Sequence, residues 1–293
     1  MSNGAKCNHG VLISAPGMTA SNPSFDYPLG STDAEDERLI RQAQWVNPHT
    51  ERCFREAGIG PGQRVLDIGS GVGDVSLLAA RLVGPSGEVV GIERDVRSLT
   101  RARIRAVEAG LRNVSFVQGD VSQVPDGNPF DAAVGRYILF FFPDPVLVLR
   151  SLSRLVRPGG VFVFQEPHLD SFLEHCRRLP LWSVGASLML ETFHRTGANL
   201  NLGPKLSQIL QEAGLSAVTT RRDTLLGSEQ WMPDCLQSLR ARMAELNISI
   251  EPLGDFETLS ERLQTEVKAF KATTPLPDLA SAWSRRSASL SSQ

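Results

Sequence analysis

Short apolar runs alternate with amphipathic segments along the middle of the chain. Between Gln63 and Glu166 the runs RVLDIG, EVVGIE, VSFVQG, DAAVGRYI and VFVFQE have the length of strands. The segments between them, DVSLLAARLVG, DVRSLTRARIRAVEAG and PVLVLRSLSRLVRPGG, have helical spacing, and glycines mark their ends. Strands that are apolar on both faces and alternate with helices predict a parallel sheet covered on both sides.

Helical patterns flank this alternating core. Apolar residues recur at helical spacing over residues 33–58, which predicts a helix that is interrupted near Pro48 and ends at Gly58. The strand–helix rhythm is lost over residues 167–202, which predicts a helical insertion at the carboxyl end of the sheet, where open α/β folds bind ligands. A helix and strand (GPKLSQILQEAGLSAVTTRRDT), two amphipathic helices (WMPDCLQSLRARMAEL and DFETLSERLQTEVKAF) and a last strand (DLASAWSR) follow.

These patterns divide the 293 residues into three parts. Residues 1–33, rich in Gly, Ser, Pro and Asn, predict a flexible arm, and residues 287–293 predict a short tail. The rest predicts one α/β domain over 34–286, with a core at 63–166, the helical insertion at 167–202 and a C-terminal part at 203–286.

Composition and charge exclude several function classes. Hydrophobic residues make up 41% of the chain and the net charge is -2, so no excess of basic residues predicts binding to nucleic acid or to an anionic membrane. The longest apolar run, YILFFFPDPVLVL, is too interrupted to span a bilayer, and the N-terminus lacks the pattern of a signal peptide. We therefore expect a cytoplasmic protein that acts on a small molecule, and we leave a homo-oligomer open.

The cysteines predict no special chemistry. Cys7, Cys53, Cys176 and Cys235 are scattered and form no CxxC or Cys/His ligand pattern. Free cysteines usually pack as small apolar side chains. We expect no disulfide framework and no metal site built from them.

The stretch VLDIGSGVGD at residues 65–74 predicts a tight turn between the first strand and its helix. Gly69, Gly71 and Gly73 allow positive φ and a close approach of a ligand to the backbone, and the helix N-terminus beyond them offers free N–H groups. A dinucleotide site would need its third glycine at position 74, where this chain has Asp74. A nicotinamide oxidoreductase is therefore disfavoured.

Carboxylates stand at the ends of successive predicted strands. Glu93 can accept both hydroxyls of a ribose. Asp120 can accept the amine of an adenine, and Val121 offers the ring a backbone N–H and an apolar side chain. Asp67, just before the glycines, can accept a cationic amine. Together these positions describe a ligand that contains an ammonium group, a ribose and an adenine.

The motifs resemble those of a known family. VLDIGSGVGD, VVGIERD, FVQGDVSQVP, FDAAVGRYILFFF and LVRPGGVFVFQE resemble the successive motifs of class I S-adenosylmethionine-dependent methyltransferases. The resemblance is to the small-molecule branch of quinone-biosynthesis and natural-product C- and O-methyltransferases. It implies an α/β fold with a Rossmann-like, seven-stranded, mostly parallel sheet, helices on both faces, an N-terminal helical lid and a helical insertion after strand 5.

The resemblance also implies a binding site for S-adenosylmethionine. The residues that it assigns to this cofactor lie along the motifs and in the lid: Tyr27, Gln44, Asp67, Gly69, Ser70, Gly71, Glu93, Arg94, Gly119, Asp120, Val121, Gly135 and Arg136. Tyr27 and Gln44 belong to the lid, which would exclude water from the reaction.

Three residues are candidates for the chemistry. Glu166 ends the fifth strand, and we expect its carboxylate in the substrate cleft, as a general base or as an anion that stabilises a cationic intermediate. The alternative is a structural partner for an arginine or for a helix N-terminus. His168 and Tyr137 are further candidates.

The class of acceptor stays open. The run Phe140–Phe142, with Trp182 and Phe193, indicates an apolar substrate pocket. One class is a phenol, quinol or related natural product. The other is a prenyl diphosphate or alkene, which would need Mg²⁺ and basic residues such as Arg221 and Arg222 for the diphosphate, and aromatic rings for the carbocation. The alternative function is a cofactor-binding but catalytically silent scaffold or partner subunit.

Overall fold

The computed structural model describes residues 27–120, 124, 127–227, 229–274 and 276–287. Strands in these ranges form one sheet: β1 Arg64–Ile68, β2 Glu88–Glu93, β3 Val114–Gln118, β4 Phe130–Arg136, β5 Val156–His168, β6 Thr219–Asp223 and β7 Asp278–Arg285. Their order is β3-β2-β1-β4-β5-β7-β6, and β7 runs antiparallel to both of its neighbours. The predicted Rossmann-like, seven-stranded, mostly parallel α/β fold is confirmed.

Helices cover both faces of the sheet and extend over its carboxyl edge. The described ranges contain α1 Asp33–Ala57, α2 Asp74–Val83, α3 Val96–Glu108, α4 Pro145–Leu152, α5 Asp170–Cys176, α6 Pro180–Arg195, α7 Leu206–Glu212, α8 Trp231–Glu245 and α9 Leu259–Ala269. Short 3₁₀ turns occur at Leu139–Phe141, Gly203–Lys205 and Glu251–Leu253. None of the helices in these ranges combines the length and apolar character needed to cross a membrane.

The central strands bury side chains on both faces. Leu66, Ile68 and Phe162 belong to the larger apolar cluster on one face, whereas Val65 and Val163 belong to the cluster on the other. The order of the strands reverses at β1, which lies between β2 and β4. Such a switch point opens a crevice at the carboxyl ends of the strands. The sheet therefore brings the ends of β1 and β4 together at the place where this fold binds ligands.

Helix α1 is continuous over 25 residues, so the expected interruption near Pro48 is wrong. Pro48 is exposed, while Val46 and Phe54 on either side of it are buried in the core. An interior proline costs a helix about 3 kcal/mol, and tertiary packing of an apolar face offsets such a cost. Thr32 caps the start of the helix, and Gly58, at φ 87°, ends it.

A helical layer from two parts of the chain covers the carboxyl edge. Helices α5 and α6 follow β5, whereas α8 and α9 lie between β6 and β7. Glu266 of α9 accepts the backbone N–H groups of Leu181 and Trp182, at 2.8 and 3.0 Å, and so caps the N-terminus of α6. Trp182 is fully buried, and its indole donates to the carbonyl of Leu263 at 3.1 Å. These contacts join segments that are about 80 residues apart and form one wall of the site.

Candidate functional site

A cavity of about 960 Å³ lies at the carboxyl edge of the sheet. Its walls come from the ends of β1, β2 and β4, the first half of α1, and helices α6 and α8. Ligand sites usually have about 300–1,000 Å³. The cavity therefore has room for a nucleotide-sized cofactor together with a second small molecule.

The glycine turn forms one end of the cavity. Gly69 and Gly71 line it with φ values of 65° and 50°. A Cβ atom on Gly69 would lie 2.4 Å from Cδ1 of Ile138, closer than a side chain allows. Ser70 also lines the cavity, and its hydroxyl has no hydrogen-bond partner among the described residues. The turn therefore offers backbone and an unused hydroxyl to a ligand.

Glu93 lines the cavity beside this turn and is held in place by backbone groups. Its Oε2 accepts the N–H of Gly71 at 2.9 Å, and its Oε1 accepts the N–H groups of Arg94 and Asp95 at 2.7 and 3.0 Å. A carboxylate has about four acceptor positions, so Oε2 keeps one for a ligand hydroxyl. This position allows a contact with one ribose hydroxyl, whereas the sequence predicts a contact with both.

The neighbouring wall is formed by Asp120, Gly119 and Arg94. The N–H of Gly119 donates to the carbonyl of Glu93 at 2.9 Å, which extends the pairing of β2 and β3 to the rim of the cavity. Nη2 of Arg94 lies 3.6 Å from Oδ2 of Asp120 and so holds this carboxylate at the rim. Val121, predicted to contact the adenine, lies outside the described residues.

Asp67 and Gly135, both predicted to contact the cofactor, do not line the cavity. Asp67 is buried behind the turn, where its Oδ2 accepts the hydroxyl of Ser76 at 2.5 Å. Burial raises the pKa of Asp67 to about 7. Gly135 lies beneath Ile138, since a Cβ on Gly135 would be 2.7 Å from Cγ2 of that side chain. Asp67 therefore contacts α2 through Ser76, and Gly135 contacts the side chain of Ile138, rather than the open cavity.

On α1 the residue chosen from the sequence faces the wrong way. Gln44 is exposed, whereas Gln42 lines the cavity together with Arg38 and Trp45. Residues two positions apart are rotated by about 200° around the helix axis, so they point to nearly opposite faces. The wall is therefore formed by the helix face that contains Arg38 and Gln42.

Tyr27 packs over the start of α1 and also lines the cavity. Its ring meets the ring of Phe141 edge-on, with centroids 5.5 Å apart, and its hydroxyl donates to Oε1 of Glu35 at 3.0 Å. Nε and Nη2 of Arg38 bind the two oxygens of Glu35, both at 2.7 Å. Burial raises the pKa of Tyr27 well above its ordinary value, so the hydroxyl stays a donor. This network fixes the lid residue over the aromatic part of the cavity.

Arg136 is a partly buried cation in the cavity wall. Its Nη1 donates to Oδ1 of Asn47 at 2.9 Å and to Oγ1 of Thr50 at 2.8 Å. Within the described part of the chain, its Nε and Nη2 have no acceptor and no carboxylate lies within 4.0 Å of it. Burial lowers the pKa of Arg136, and the charge of Asp74 opposes that shift. Such a guanidinium favours an anion in the cavity.

The other part of the cavity is aromatic. Phe140–Phe142 and Phe193 line it, and three of these rings have centroids between 4.0 and 6.4 Å apart. Trp182, which the sequence also assigned to the pocket, instead lies inside the helical layer. Met189 and Trp231 line the cavity and were missed. Met189 could have been predicted, because it lies one helical turn before Phe193 on the same face of α6.

Apart from Arg94, which lies beside Asp120, charges of opposite sign line different parts of the cavity wall. Four carboxylates line the half beside the glycine turn: Asp74, Glu93, Asp95 and Asp120. Four arginines line the wall formed by α1, β4, α6 and α8: Arg38, Arg136, Arg195 and Arg242. In the described ranges, no group of three or more His, Cys, Asp or Glu side chains is arranged to hold a metal ion. The wall favours a ligand with hydroxyl and ammonium groups at one end and an electron-rich molecule at the other.

A family model described as a methyltransferase domain matches residues 59–214, more than half of the chain. This chain belongs to the class I S-adenosylmethionine-dependent methyltransferases. The family predicted from the motifs is therefore confirmed. The matched segment runs from before β1 to the end of α7 and so contains the glycine turn, Glu93, Asp120 and Arg136.

Curated relatives match a shorter part of this methyltransferase. It is 37% identical over 117 residues to the ubiquinone/menaquinone biosynthesis C-methyltransferase UbiE of Cellvibrio japonicus. The aligned segment covers 38% of this chain and 47% of the relative. It is 32% identical over 117 residues to the demethylmenaquinone methyltransferase of Staphylococcus aureus, and the aligned segment covers 40% of this chain and 48% of the relative. The chain thus spans about half the length of the curated relatives it matches.

Solved structures share the fold of this methyltransferase. Phosphoethanolamine N-methyltransferase 2 of Haemonchus contortus, in complex with phosphomonomethylethanolamine and S-adenosylhomocysteine, has a TM-score of 0.56 at 15% identity and covers 91% of this chain and 61% of that chain. The [4+2]-cyclase SpnF has a TM-score of 0.53 at 21% identity and covers 83% of this chain and 82% of that chain. At such identities the likeness shows the fold alone.

Glu166 of the methyltransferase does not face the cavity, which corrects the placement expected from the sequence. It is fully buried, and its Oε1 accepts the N–H groups of Ile138 and Leu139 at 3.2 and 2.8 Å. It thereby caps the 3₁₀ turn at Leu139–Phe141, as the structural alternative supposed. Burial raises the pKa of Glu166 to about 8, so the group is mostly protonated at neutral pH. A protonated carboxyl away from the cavity cannot take a proton from an acceptor.

His168 and Tyr137 have different surroundings. His168 is nearly buried and does not line the cavity; its Nε2 lies 4.0 Å from Oδ2 of Asp170, and its Nδ1 has no partner among the described residues. Tyr137 lines the cavity with φ 56°, a left-handed conformation that is uncommon for a side chain of this size. Of the three candidates for the chemistry, Tyr137 is the one that the structure places in the cavity wall.

We expect the pH dependence of stability to report the buried carboxyl of Glu166. Its pKa is about 8 in the folded protein against an ordinary value of 4.5. Between pH 4.5 and 8 the folded protein therefore binds more protons than the unfolded chain. The stabilising contribution is complete below about pH 4.5 and is lost as the pH rises through about 8. One pKa unit corresponds to about 1.4 kcal/mol, so Glu166→Gln should reduce the loss of unfolding free energy between pH 5 and 8 by more than this amount.

Urea titrations at several pH values measure this difference. Asp67, with a folded pKa of about 7, supplies a second part of the slope that remains in the Glu166→Gln variant. Asp67→Asn is the matched control, because it should remove only that second part. An identical slope in the wild type and in Glu166→Gln would contradict the assignment.

Proposed function

We propose that this methyltransferase moves the methyl group of S-adenosylmethionine to a small, largely apolar acceptor, at carbon or oxygen. The observation that carries the proposal is one continuous cavity with a polar part at the glycine turn and an aromatic part under α6 and α8. A cofactor and an acceptor in such a cavity lie in contact and away from water. In-line displacement at a methyl group depends on that alignment.

The polar part offers a partner for each portion of the cofactor. Glu93 binds the ribose, and Asp120, held by Arg94, binds the amine of the adenine. The backbone of residues 69–71 contacts the methionine portion. Arg136, whose Nε and Nη2 are unused among the described residues, binds the carboxylate of that portion. The acidic side chains near the turn complement the ammonium and the sulfonium.

The acceptor is a phenol, a quinol or a related enol. The charged side chains that line the aromatic part are arginines and not carboxylates in the described ranges, so a carbocation from an alkene would find no counter-ion there. Four of the five N–H donors of Arg38 are used within the protein, which leaves one. An oxyanion could accept hydrogen bonds from this N–H and from the hydroxyl of Tyr137. Both curated relatives bear the names of quinone-biosynthesis methyltransferases, which supports the same class.

The residues proposed for a diphosphate lie elsewhere. Arg221 is on β6 and pairs with Glu56 and Asp223, and Nε of Arg222 lies 3.5 Å from Oδ2 of Asp278. Neither arginine lines the cavity. Both arginines point to partners around the edge of the sheet, so they do not support a diphosphate as the substrate.

In this proposal the protein orients the reactants and stabilises charge. The acceptor would bind as its oxyanion after releasing its hydroxyl proton to solvent. S-adenosylmethionine, when bound, would supply the methyl group to the oxygen or to the conjugated carbon and would leave as S-adenosylhomocysteine. After methylation at carbon, the proton on that carbon would be released to solvent as the product leaves. Burial raises the pKa of Tyr137 above its ordinary value, so its phenol stays protonated and donates a hydrogen bond to the oxyanion.

Tyr137→Phe should lower kcat about tenfold while leaving the affinity for S-adenosylhomocysteine unchanged, because it removes one hydrogen bond made to the charged acceptor. Steady-state kinetics measure kcat with an acceptor that takes up label from methyl-labelled S-adenosylmethionine. Calorimetric titration measures the affinity for S-adenosylhomocysteine. Ser151→Ala is the control for loss of a hydroxyl, since Oγ of Ser151 donates to the carbonyl of Leu147 at 3.0 Å and does not line the cavity. A Tyr137→Phe variant with unchanged kcat would contradict the role.

Methyl-labelled S-adenosylmethionine tests the function itself. The label is followed into a pool of phenols and quinols and, separately, into a pool of prenyl diphosphates with Mg²⁺. We expect label in the first pool only. Label in the prenyl pool alone would overturn the oxyanion mechanism, and binding of the cofactor without transfer to either pool would favour a catalytically silent protein.

A further inference from the structure

We propose that the acceptor carries an anionic group, a carboxylate or a phosphate, at the end remote from the methylated atom, and that Arg195 and Arg242 bind it. The inference rests on the proposed function, because it assigns a second feature to the molecule in the aromatic part of the cavity. It makes the acceptor an amphiphile with an apolar body and a charged end.

The two arginines lie where the ends of two helices meet. Arg195 is the last residue of α6, Arg242 is in the last turn of α8, and both line the cavity. Nη1 of Arg195 donates to the carbonyl of Leu246 at 2.9 Å, which joins the helix ends. Both arginines belong to the helical layer, whereas the proposed cofactor-binding residues lie at the ends of the strands. A group bound by them is therefore separate from the cofactor.

The wall around these arginines is apolar. Phe140, Phe141, Met189, Phe193, Leu200 and Leu246 line the same part of the cavity. No carboxylate among the described residues lines it, and the glutamates that pair with the two arginines lie outside this wall. Charge-assisted hydrogen bonds are stronger in such surroundings than in water. A neutral, wholly apolar acceptor would gain nothing from guanidinium groups at this point.

Each arginine already has a carboxylate partner on its own helix. Arg195 binds Glu191 at 2.5 Å, and Arg242 binds Glu245 at 2.9 Å. The glutamate side chains are 49% and 61% exposed and do not line the cavity. Exposed pairs of this kind contribute about 0–1 kcal/mol, so an anion in the less polar cavity competes with them at little cost. The pairs keep the guanidinium groups at the cavity wall.

Three ligands of equal chain length test the inference: decyl phosphate, decanoate and decanol. They are titrated by calorimetry into the protein saturated with S-adenosylhomocysteine. We expect at least one of the anions to bind about tenfold more tightly than decanol in the wild type. Arg195→Gln and Arg242→Gln should each reduce this preference about threefold, and the double variant should remove it while decanol binds as before. The stronger of the two anions identifies the charged group.

Arg178→Gln is the matched control, because Arg178 is an exposed arginine that pairs with Glu174 at 3.8 Å and does not line the cavity. It should keep the full preference for the anions. Thermal unfolding checks that each variant is folded, and Arg242→Gln carries the test alone if Arg195→Gln does not fold.

Three outcomes would overturn the inference. They are equal affinity of the wild type for the anions and the alcohol, binding of none of the three ligands, and a parallel loss of anion and alcohol affinity in the variants. The last outcome would assign the arginines to the structure of the helix ends. Titration of S-adenosylhomocysteine alone tests the proposed function separately: if it fails to bind, the function fails, whereas its binding without a preference for anions overturns only this inference.

Discussion

Replacing Glu93 by glutamine is expected to weaken the binding of S-adenosylhomocysteine by roughly 100-fold. In the proposed complex this carboxylate accepts a ribose hydroxyl through Oε2, and it already accepts backbone N–H groups through both oxygens. Glutamine turns one of these acceptors into a donor, which then faces an N–H of Gly71 or Arg94. A hydrogen bond to a charged group contributes about 1.5–3 kcal/mol, and loss of more than one corresponds to this decrease in affinity.

Calorimetry with two ligands shows whether the loss concerns the ribose. 5′-Methylthioadenosine contains the ribose and adenine but lacks the amino acid end, so its affinity should fall in parallel with that of S-adenosylhomocysteine. Glu88→Gln is the matched control, since Glu88 is an exposed residue at the other end of β2 that pairs with Arg64. An undiminished affinity of Glu93→Gln for both ligands would contradict the ribose contact.

Arg136→Met is expected to weaken S-adenosylhomocysteine by roughly 10- to 100-fold and to leave 5′-methylthioadenosine almost unaffected. The guanidinium offers unused donors to the cavity, and the carboxylate of the cofactor is the anion proposed to fill them. Only one of the two ligands contains that carboxylate. The ratio of the two dissociation constants therefore measures the contact, free of general effects on the fold.

The two variants thus have opposite signatures. Glu93→Gln lowers the affinity for both ligands, whereas Arg136→Met lowers it for one. Arg157→Met provides the control for the loss of a charge, because Arg157 pairs with Asp131 outside the cavity. Equal losses for both ligands in Arg136→Met would show that Arg136 supports the wall through Asn47 and Thr50 and binds no carboxylate.

The residues that line the polar part of the cavity could be predicted because the sheet brings them together. Glu93 and Asp120 follow β2 and β3, and parallel neighbours bring their ends to one edge. The glycines at 69 and 71 have the positive φ values that their spacing indicated. Each of these signals is local in sequence and needs only the order of the strands.

The direction of side chains near strand ends was harder to predict. Asp67 lies two residues after Val65 and so shares its face of β1, where Ser76 of α2 receives it. Glu166 shares the face of Phe162 and Phe164 on β5 by the same alternation, and that face is covered by the 3₁₀ turn. Alternation was a signal for both residues. What covers each face depends on contacts between distant segments.

The acceptor part could not be predicted in detail. Its wall combines α6 with α8, which are joined by contacts such as that of Arg195 with Leu246, 51 residues apart. Apolar periodicity shows which face of each helix is buried but not which helix it meets. Arg38 and Gln42 on α1 follow the helical period of the buried stripe, whereas Gln44 does not.

A crystal structure of the complex with S-adenosylhomocysteine shows whether this cavity holds the cofactor. We expect a ribose hydroxyl within about 3 Å of Glu93, the adenine beside Asp120, the carboxylate on Arg136 and the sulfur facing the side of the cavity where Tyr137 lies. A nucleoside bound in another part of the cavity, or no bound ligand at saturating concentration, would contradict this expectation.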